Sequence, residues 1–297
     1  MSIRYWLIIA ALGIVWGSSF LFNEILLREL GPLMVSLGRT GLGAVGCWAY
    51  VLLTRKRVSL SWGLIGGMLF LGALNFALPF AIYPLSQQYV TSGVAGIVNA
   101  TTPVMVVIVT HFWAGGERAT LPKILGVVLG MAGVAILAVP ALGHESELFA
   151  ILFMLLAPLC YAFAFNFARR FRDIDPTIVA ALALTGGTIA IAPVAIWIEG
   201  IPVITRFQTW AALAVIGFAL TSVAFIVFYW LLPIVGPTNT STVTFIAPVS
   251  AVALGAFILG EKLLPEHAAG AVAIFCGMLL IDGRVLNWFR AKDQPNG

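Results

Sequence analysis

A chain of 297 residues that is 61% hydrophobic and only 9% charged, with a mean hydropathy of +1.05, cannot cover a water-facing surface. Soluble domains keep about a quarter of their residues charged, so the composition excludes one and points to a chain that faces lipid. A net charge of +4 would suit a nucleic-acid partner, but the basic residues are spaced as topology signals and no such partner is expected.

A membrane-crossing helix takes about 20 apolar residues, each rising about 1.5 Å. Turn and charge punctuation cuts the chain into ten such segments: 5–27, 32–54, 62–85, 92–113 and 123–142, then 148–171, 176–198, 209–234, 238–259 and 265–289. They take up nearly the whole chain and leave no room for a soluble domain. The basic start ahead of the first run has the look of a secretory signal. That run continues to Leu27 without a small-residue cleavage site, so a retained first helix is expected. Pro32, Pro176 and Pro265 each open a segment, where a missing N–H costs nothing.

Ten crossings would place the termini and the even-to-odd loops on one face. That face carries twelve Lys and Arg: Arg4, Arg55, Lys56, Arg57, Arg118, Lys123, Arg169, Arg170, Arg172, Arg284, Arg290 and Lys292. The other face has only Arg28, Arg206 and Lys262, and Arg39 is left inside the membrane. The positive-inside rule then puts both termini in the cytoplasm. Trp6, Trp48, Trp62, Trp113, Trp197, Trp210, Trp230 and Trp288 lie near expected segment ends, as interfacial anchors do, whereas Trp16 falls mid-span.

The two halves match at offsets of 144 or 145. Val15-Trp16-Gly17 faces Cys160-Tyr161-Ala162, and Arg28 to Pro32 faces Arg172 to Pro176. Thr102-Pro103-Val104 faces Ala247-Pro248-Val249, Gly116-Glu117 faces Gly260-Glu261, and Gly126 and Gly133 face Gly270 and Gly277. Five spans per half would make the second half enter from the opposite side, and positive charge follows the membrane side rather than the repeat. The expected fold is an all-α polytopic membrane protein of ten transmembrane helices in two inverted five-helix repeats, residues 1–145 and 146–297.

The Trp16-Gly17 pair, the mid-helix prolines Pro103 and Pro248, and the Gly-Glu pairs ending the fourth and ninth segments resemble the drug/metabolite transporter superfamily, in its branch with paired EamA-type domains. Within the branch the chain looks most like bacterial amino-acid exporters of the YddG type. The second half departs from the pattern in carrying Tyr161 opposite Trp16. The resemblance implies a central cavity surrounded by helices one, three, four, six, eight and nine.

Polar groups are costly in hydrocarbon, so mid-span polar residues are informative. Trp16, Asn75, Thr102, Tyr161, Thr221, Ser222 and Thr244 fall near the midplane of those same six segments, with Asn99 one turn from Thr102. Tyr83 lies toward the outer end of the third. They form either a substrate cradle or a set of interhelical hydrogen bonds. Arg39 needs a partner, since burying it costs about 2.5–3.5 kcal/mol on insertion scales. Glu24 on the first segment is the expected one in a structural ion pair; the alternative is capture of a substrate carboxylate. Gly17, Pro79, Gly96, Pro103, Pro158 and Pro248 are candidate hinges.

Cys47, Cys160 and Cys276 lack ligand or disulfide spacing and read as packing residues, and the three histidines are scattered, so no metal or other cofactor is expected. No enzyme or phosphate-binding motif is present. The expected function is export of small metabolites, amino acids (aromatic ones included) ahead of others, across the inner membrane by alternating access. The alternative is a multidrug or other metabolite exporter of the same superfamily. No carboxylate falls near a segment centre, which predicts weak or absent proton coupling. The glycines of segments five and ten leave monomer or homodimer open.

Overall fold

The computed structural model describes residues 2–57 and 59–283. Arg284, Trp288, Arg290, Lys292 and the expected segment end at Phe289 lie outside the described residues. In chain order the described residues form α1 (Ile3–Leu26), α2 (Pro32–Leu53), α3 (Trp62–Gln87), α4 (Ser92–Phe112), α5 (Leu121–Ala141), α6 (Glu145–Phe171), α7 (Pro176–Glu199), α8 (Phe207–Gly236), α9 (Val243–Leu259) and α10 (Pro265–Asp282), with no strand among them. Eight are long and apolar enough to cross a bilayer; α2, with Arg39 in its 22 residues, and the shorter α9 fall outside the eight. The chain is thus an all-helical, multi-pass membrane protein.

Breaks in the helices have local causes. α3 widens into a π turn at Ala73–Ala77, just ahead of Pro79. α4 breaks at Ala100 and Thr101, ahead of Pro103, and α6 at Leu155, three residues before Pro158. α8 contains a longer π turn, Val215–Val223, and breaks at Gly236, whose φ of 79° is open to glycine at little cost. α9 begins at Val243, later than residue 238, after a turn at 241–242. Pro248, by contrast, sits inside the continuous helix Val243–Leu254, and α1 runs unbroken through Gly17. A Cβ at Gly17 would lie 2.2 Å from the Ala247 carbonyl oxygen and one at Gly96 2.4 Å from the Ala251 Cβ. These two glycines let α1 and α4 close onto α9.

The glycines of α5 and α10 are used inside the chain. A Cβ at Gly126 would stand 2.6 Å from the Gly277 carbonyl oxygen, and one at Gly133 2.7 Å from that of Gly270. The two helices interlock backbone to backbone, as small residues permit in lipid.

Carboxylates tie the helix ends. Glu199, ending α7, accepts from the Leu33 and Met34 N–H groups at 2.9 Å each, at the start of α2. At the other ends of the same two helices Lys56 meets Asp175 at 2.7 Å. Glu29, between α1 and α2, accepts from the hydroxyls of Thr205 and Thr209 and the Thr205 N–H ahead of α8. Glu117 pairs with Lys123 at 2.6 Å. Trp48 departs from the interfacial belt: its Nε1 donates to Thr185 Oγ1 of α7 at 2.9 Å. Cys47 is buried and Cys160 half-buried, whereas Cys276 is exposed on α10 and does not pack.

Gly133→Leu is expected to lower stability by about 1–3 kcal/mol through overpacking. Gly63→Leu, at a position where a Cβ meets nothing within 4 Å, should show no such loss; thermal unfolding of both in detergent compares them. Hydrogen bonds from Thr205, then Thr209, lower the Glu29 pKa from 4.5 to about 2. Its stabilisation is therefore complete above pH 4.5 and lost as pH falls through about 2. The melting-temperature gap between wild type and Glu29→Gln should shrink across that window and stay constant above it.

Candidate functional site

The described helices enclose a chamber of about 230 Å³. Seven of the nine substrate residues expected from sequence line it: Trp16 from α1, Asn75 and Tyr83 from α3, Asn99 and Thr102 from α4, Tyr161 from α6 and Thr244 from α9. Thr221 and Ser222 of α8 do not. Thr221 Oγ1 accepts from Arg39 Nε at 3.2 Å, and Ser222 Oγ donates to the Gly43 carbonyl at 2.9 Å, so one supports a chamber residue and the other ties α8 to α2.

Helix irregularities place these side chains. Asn75 sits in the π turn of α3, Thr221 and Ser222 in that of α8. The Thr221 hydroxyl donates to the Ile216 carbonyl five residues back, which satisfies an acceptor in the widened turn, and the single Ser222 proton is shared between the Gly43 carbonyl and, at 3.1 Å, that of Gly217. In α4, Pro103 has no N–H to give the Asn99 carbonyl four residues earlier. Thr102 Oγ1 donates to that carbonyl instead, at 2.7 Å. The Asn99 side chain is then held by the Tyr83 hydroxyl, which donates to Oδ1 at 2.7 Å across α3 and α4. Trp16 packs at 5.5 and 5.2 Å between ring centroids against Phe225 and Phe228, and Tyr83 meets Phe20 edge-on at 5.2 Å. An aromatic wall beside the chamber results.

Arg39 is 7% exposed and borders the chamber. The expected ion pair with Glu24 is not formed. Arg39 Nη2 donates to Ser19 Oγ at 3.0 Å and Nε to Thr221, and the guanidinium carbon lies 3.8 Å from the centroid of the Phe80 ring. Those partners are neutral. The charged neighbours of Glu24 are Glu261 and Arg28 instead. Glu261 itself accepts from the Ser92 and Gly93 N–H groups at 2.8 and 3.0 Å, at the start of α4. Among the described residues no Asp or Glu lines the chamber.

Chamber residues that sequence reasoning missed are Ser19, Phe20 and Asn23 on α1, Phe76 and Phe80 on α3, and Phe225 and Tyr229 on α8. The signal was there: positions 16, 19, 20 and 23 share one helical face, as do 76, 80 and 83. Two helices also join the expected six, α2 through Arg39 and α7 through Val179, Ala180 and Ala183.

Comparison with known proteins agrees with this architecture. Residues 3–139 and 148–282 each match the EamA-like transporter family. A Bacillus subtilis (strain 168) relative, named as the uncharacterized transporter YoaV, is 24% identical over 276 residues, covering 92% of this chain and 94% of its own. An Escherichia coli (strain K12) relative, named as the uncharacterized inner membrane transporter YedA, is 25% identical over 289 residues, covering 95% and 91%. A solved crystal structure at 18% identity has a TM-score of 0.65 over 95% of this chain and 98% of the other, a likeness of fold.

With no contact between them, Arg39→Met and Glu24→Gln should change stability additively within about 0.5 kcal/mol in a double-mutant cycle. A larger coupling would restore the ion pair.

Proposed function

Because the chain belongs to the EamA-like transporter family, we propose that it exports small metabolites, amino acids first among them and aromatic ones included, by alternating access to the chamber across the inner membrane. The observation that carries this reading is the make-up of the chamber: aromatic walls, amides, hydroxyls and one buried cation, with no carboxylate among the described lining residues. Such a lining suits a solute with an anionic group and an apolar body and tolerates variation in that body. At about 230 Å³ the chamber lies below the ~300–1,000 Å³ of drug-sized sites, which favours a small solute over multidrug cargo. The charge on Arg39 also opposes cationic dyes.

Alternating access rests on two inverted halves, 1–145 and 146–297, with α2 and α9 completing ten crossings. Three observations support that arrangement. The family matches twice, over 3–139 and 148–282. The π turns of α3 and α8 overlap at the repeat offset. And α2 and α7 are tied to each other at both ends. The two ends of the chamber also differ. Glu261 holds the start of α4, whereas its repeat mate Glu117 pairs with Lys123 and is 72% exposed. The lining reaches Ala168 and Val179, beside the basic turn at 169–172. This asymmetry supports a state open toward the basic, cytoplasmic face and tied shut at the other. With no carboxylate among the described lining residues, substrate runs down its own gradient rather than with protons.

In reconstituted vesicles, labelled amino acids should exchange across the membrane and compete with one another, with no acceleration by an imposed pH gradient. Cationic dyes should fail to compete. Dye transport that amino acids do not inhibit would overturn the substrate class, and strong acceleration by a pH gradient would overturn the uncoupled mechanism.

A further inference from the structure

A buried amide with an unused oxygen lies one turn along α1 from the serine that holds the buried cation. Gln87 Nε2 donates to the Phe20 backbone carbonyl at 2.9 Å, and that carbonyl can only accept. The orientation of Gln87 is thereby set, its Oε1 turned toward Asn23. Asn23 must answer with its Nδ2, which donates to Gln87 Oε1 at 2.9 Å. Asn23 Oδ1 is left with no partner, although the residue is only 2% exposed. Of the buried side-chain atoms without partners among the described residues, it is the one whose residue borders the chamber. An unmet acceptor in hydrocarbon is costly, and a ligand that donates to it removes that cost.

One turn earlier on the same face of α1, Ser19 Oγ accepts from Arg39. The serine that holds the cation and the residue with the unmet acceptor thus stand one helical turn apart on α1, roughly 5–6 Å between their Cβ positions. The guanidinium has five N–H donors. Ser19 and Thr221 use Nη2 and Nε, and the Phe80 ring covers one face without consuming a donor.

We propose that Arg39 and Asn23 together read the head group of a zwitterion: the guanidinium takes the substrate's carboxylate and Asn23 Oδ1 takes its ammonium. Gln87 is a positioning residue that keeps the Asn23 oxygen free for this task. An α-amino acid carries both charges on one carbon, so the pair is engaged at once and in one orientation, with the side chain directed to the aromatic wall. This rests on the amino-acid reading above and adds which end of the substrate each residue holds.

Three probes with one body and different heads test it: phenylalanine, phenethylamine, which lacks the carboxylate, and 3-phenylpropionate, which lacks the ammonium. Wild-type protein in detergent should bind phenylalanine about tenfold to a hundredfold tighter than either truncated probe, the usual worth of a hydrogen bond to a charged group. Arg39→Gln should abolish the preference over phenethylamine by weakening phenylalanine, while phenethylamine, a cation relieved of the guanidinium charge, binds at least as tightly as in wild type. Asn23→Leu should abolish the preference over phenylpropionate while keeping the other. Gln87→Leu, which frees Asn23 to turn, should weaken that preference partially. Retained binding of the probe that lacks the deleted contact shows that each variant is folded. Phenylalanine binding with no head-group discrimination in wild type would overturn this assignment alone. Failure of all three probes to bind would overturn the amino-acid reading beneath it.

Discussion

The first N–H groups of a helix have no partner within it, and hydrocarbon supplies none. In this chain carboxylates from distant helices meet that need. Glu199 brings its two oxygens to the start of α2, and Glu261 brings its own to the start of α4. Each also sits at the positive end of a helix dipole. Satisfying a local deficit therefore fixes a tertiary pairing, α7 against α2 and α9 against α4, between residues more than 160 positions apart. Surface carboxylates contribute little in water; at a helix start within the bilayer edge the alternative is an unmet donor, and the same group becomes structural.

Small residues do the rest of the assembly. With no hydrophobic drive between helices in lipid, contact depends on how closely backbones approach. A Cβ at Gly72 would fall 2.1 Å from the Ala183 carbonyl oxygen, so α3 lies directly on α7. α5 and α10 interlock in the same way, and none of their described residues lines the chamber. Eight helices remain to surround the chamber, and each gives it at least one side chain.

Much of this could be read beforehand, because in a membrane the rules are few. Apolar length locates helices, and the midplane level singles out polar residues; of the seven so chosen, Trp16, Asn75, Thr102, Tyr161 and Thr244 line the chamber. Thr221 and Ser222 were at the right level but turned toward α2 by a π turn, which shifts the helical face in a way that a 3.6-residue period does not register. Arg39 and Glu24 shared a plausible depth on neighbouring helices, yet depth does not say which way a side chain points around the axis. Gly17 and Gly96 show the same ambiguity: a glycine inside an apolar run reads equally as a bend or as a close contact, and only the facing helix reveals the contact.

The absence of that ion pair matters for what the chamber can do. A buried guanidinium joined to a carboxylate is already satisfied, and a substrate's anionic group would have to displace the partner and leave it stranded, a loss that binding seldom recovers. Arg39 has hydroxyls and a ring instead. Those neighbours hold its position without neutralising it, so the cation is left short of a counter-charge, which is what the proposed carboxylate contact requires. The energy of insertion, about 2.5–3.5 kcal/mol for an arginine at mid-helix, is then not merely a defect to be tolerated. Under the head-group assignment proposed above, part of that cost is returned when a substrate carboxylate binds.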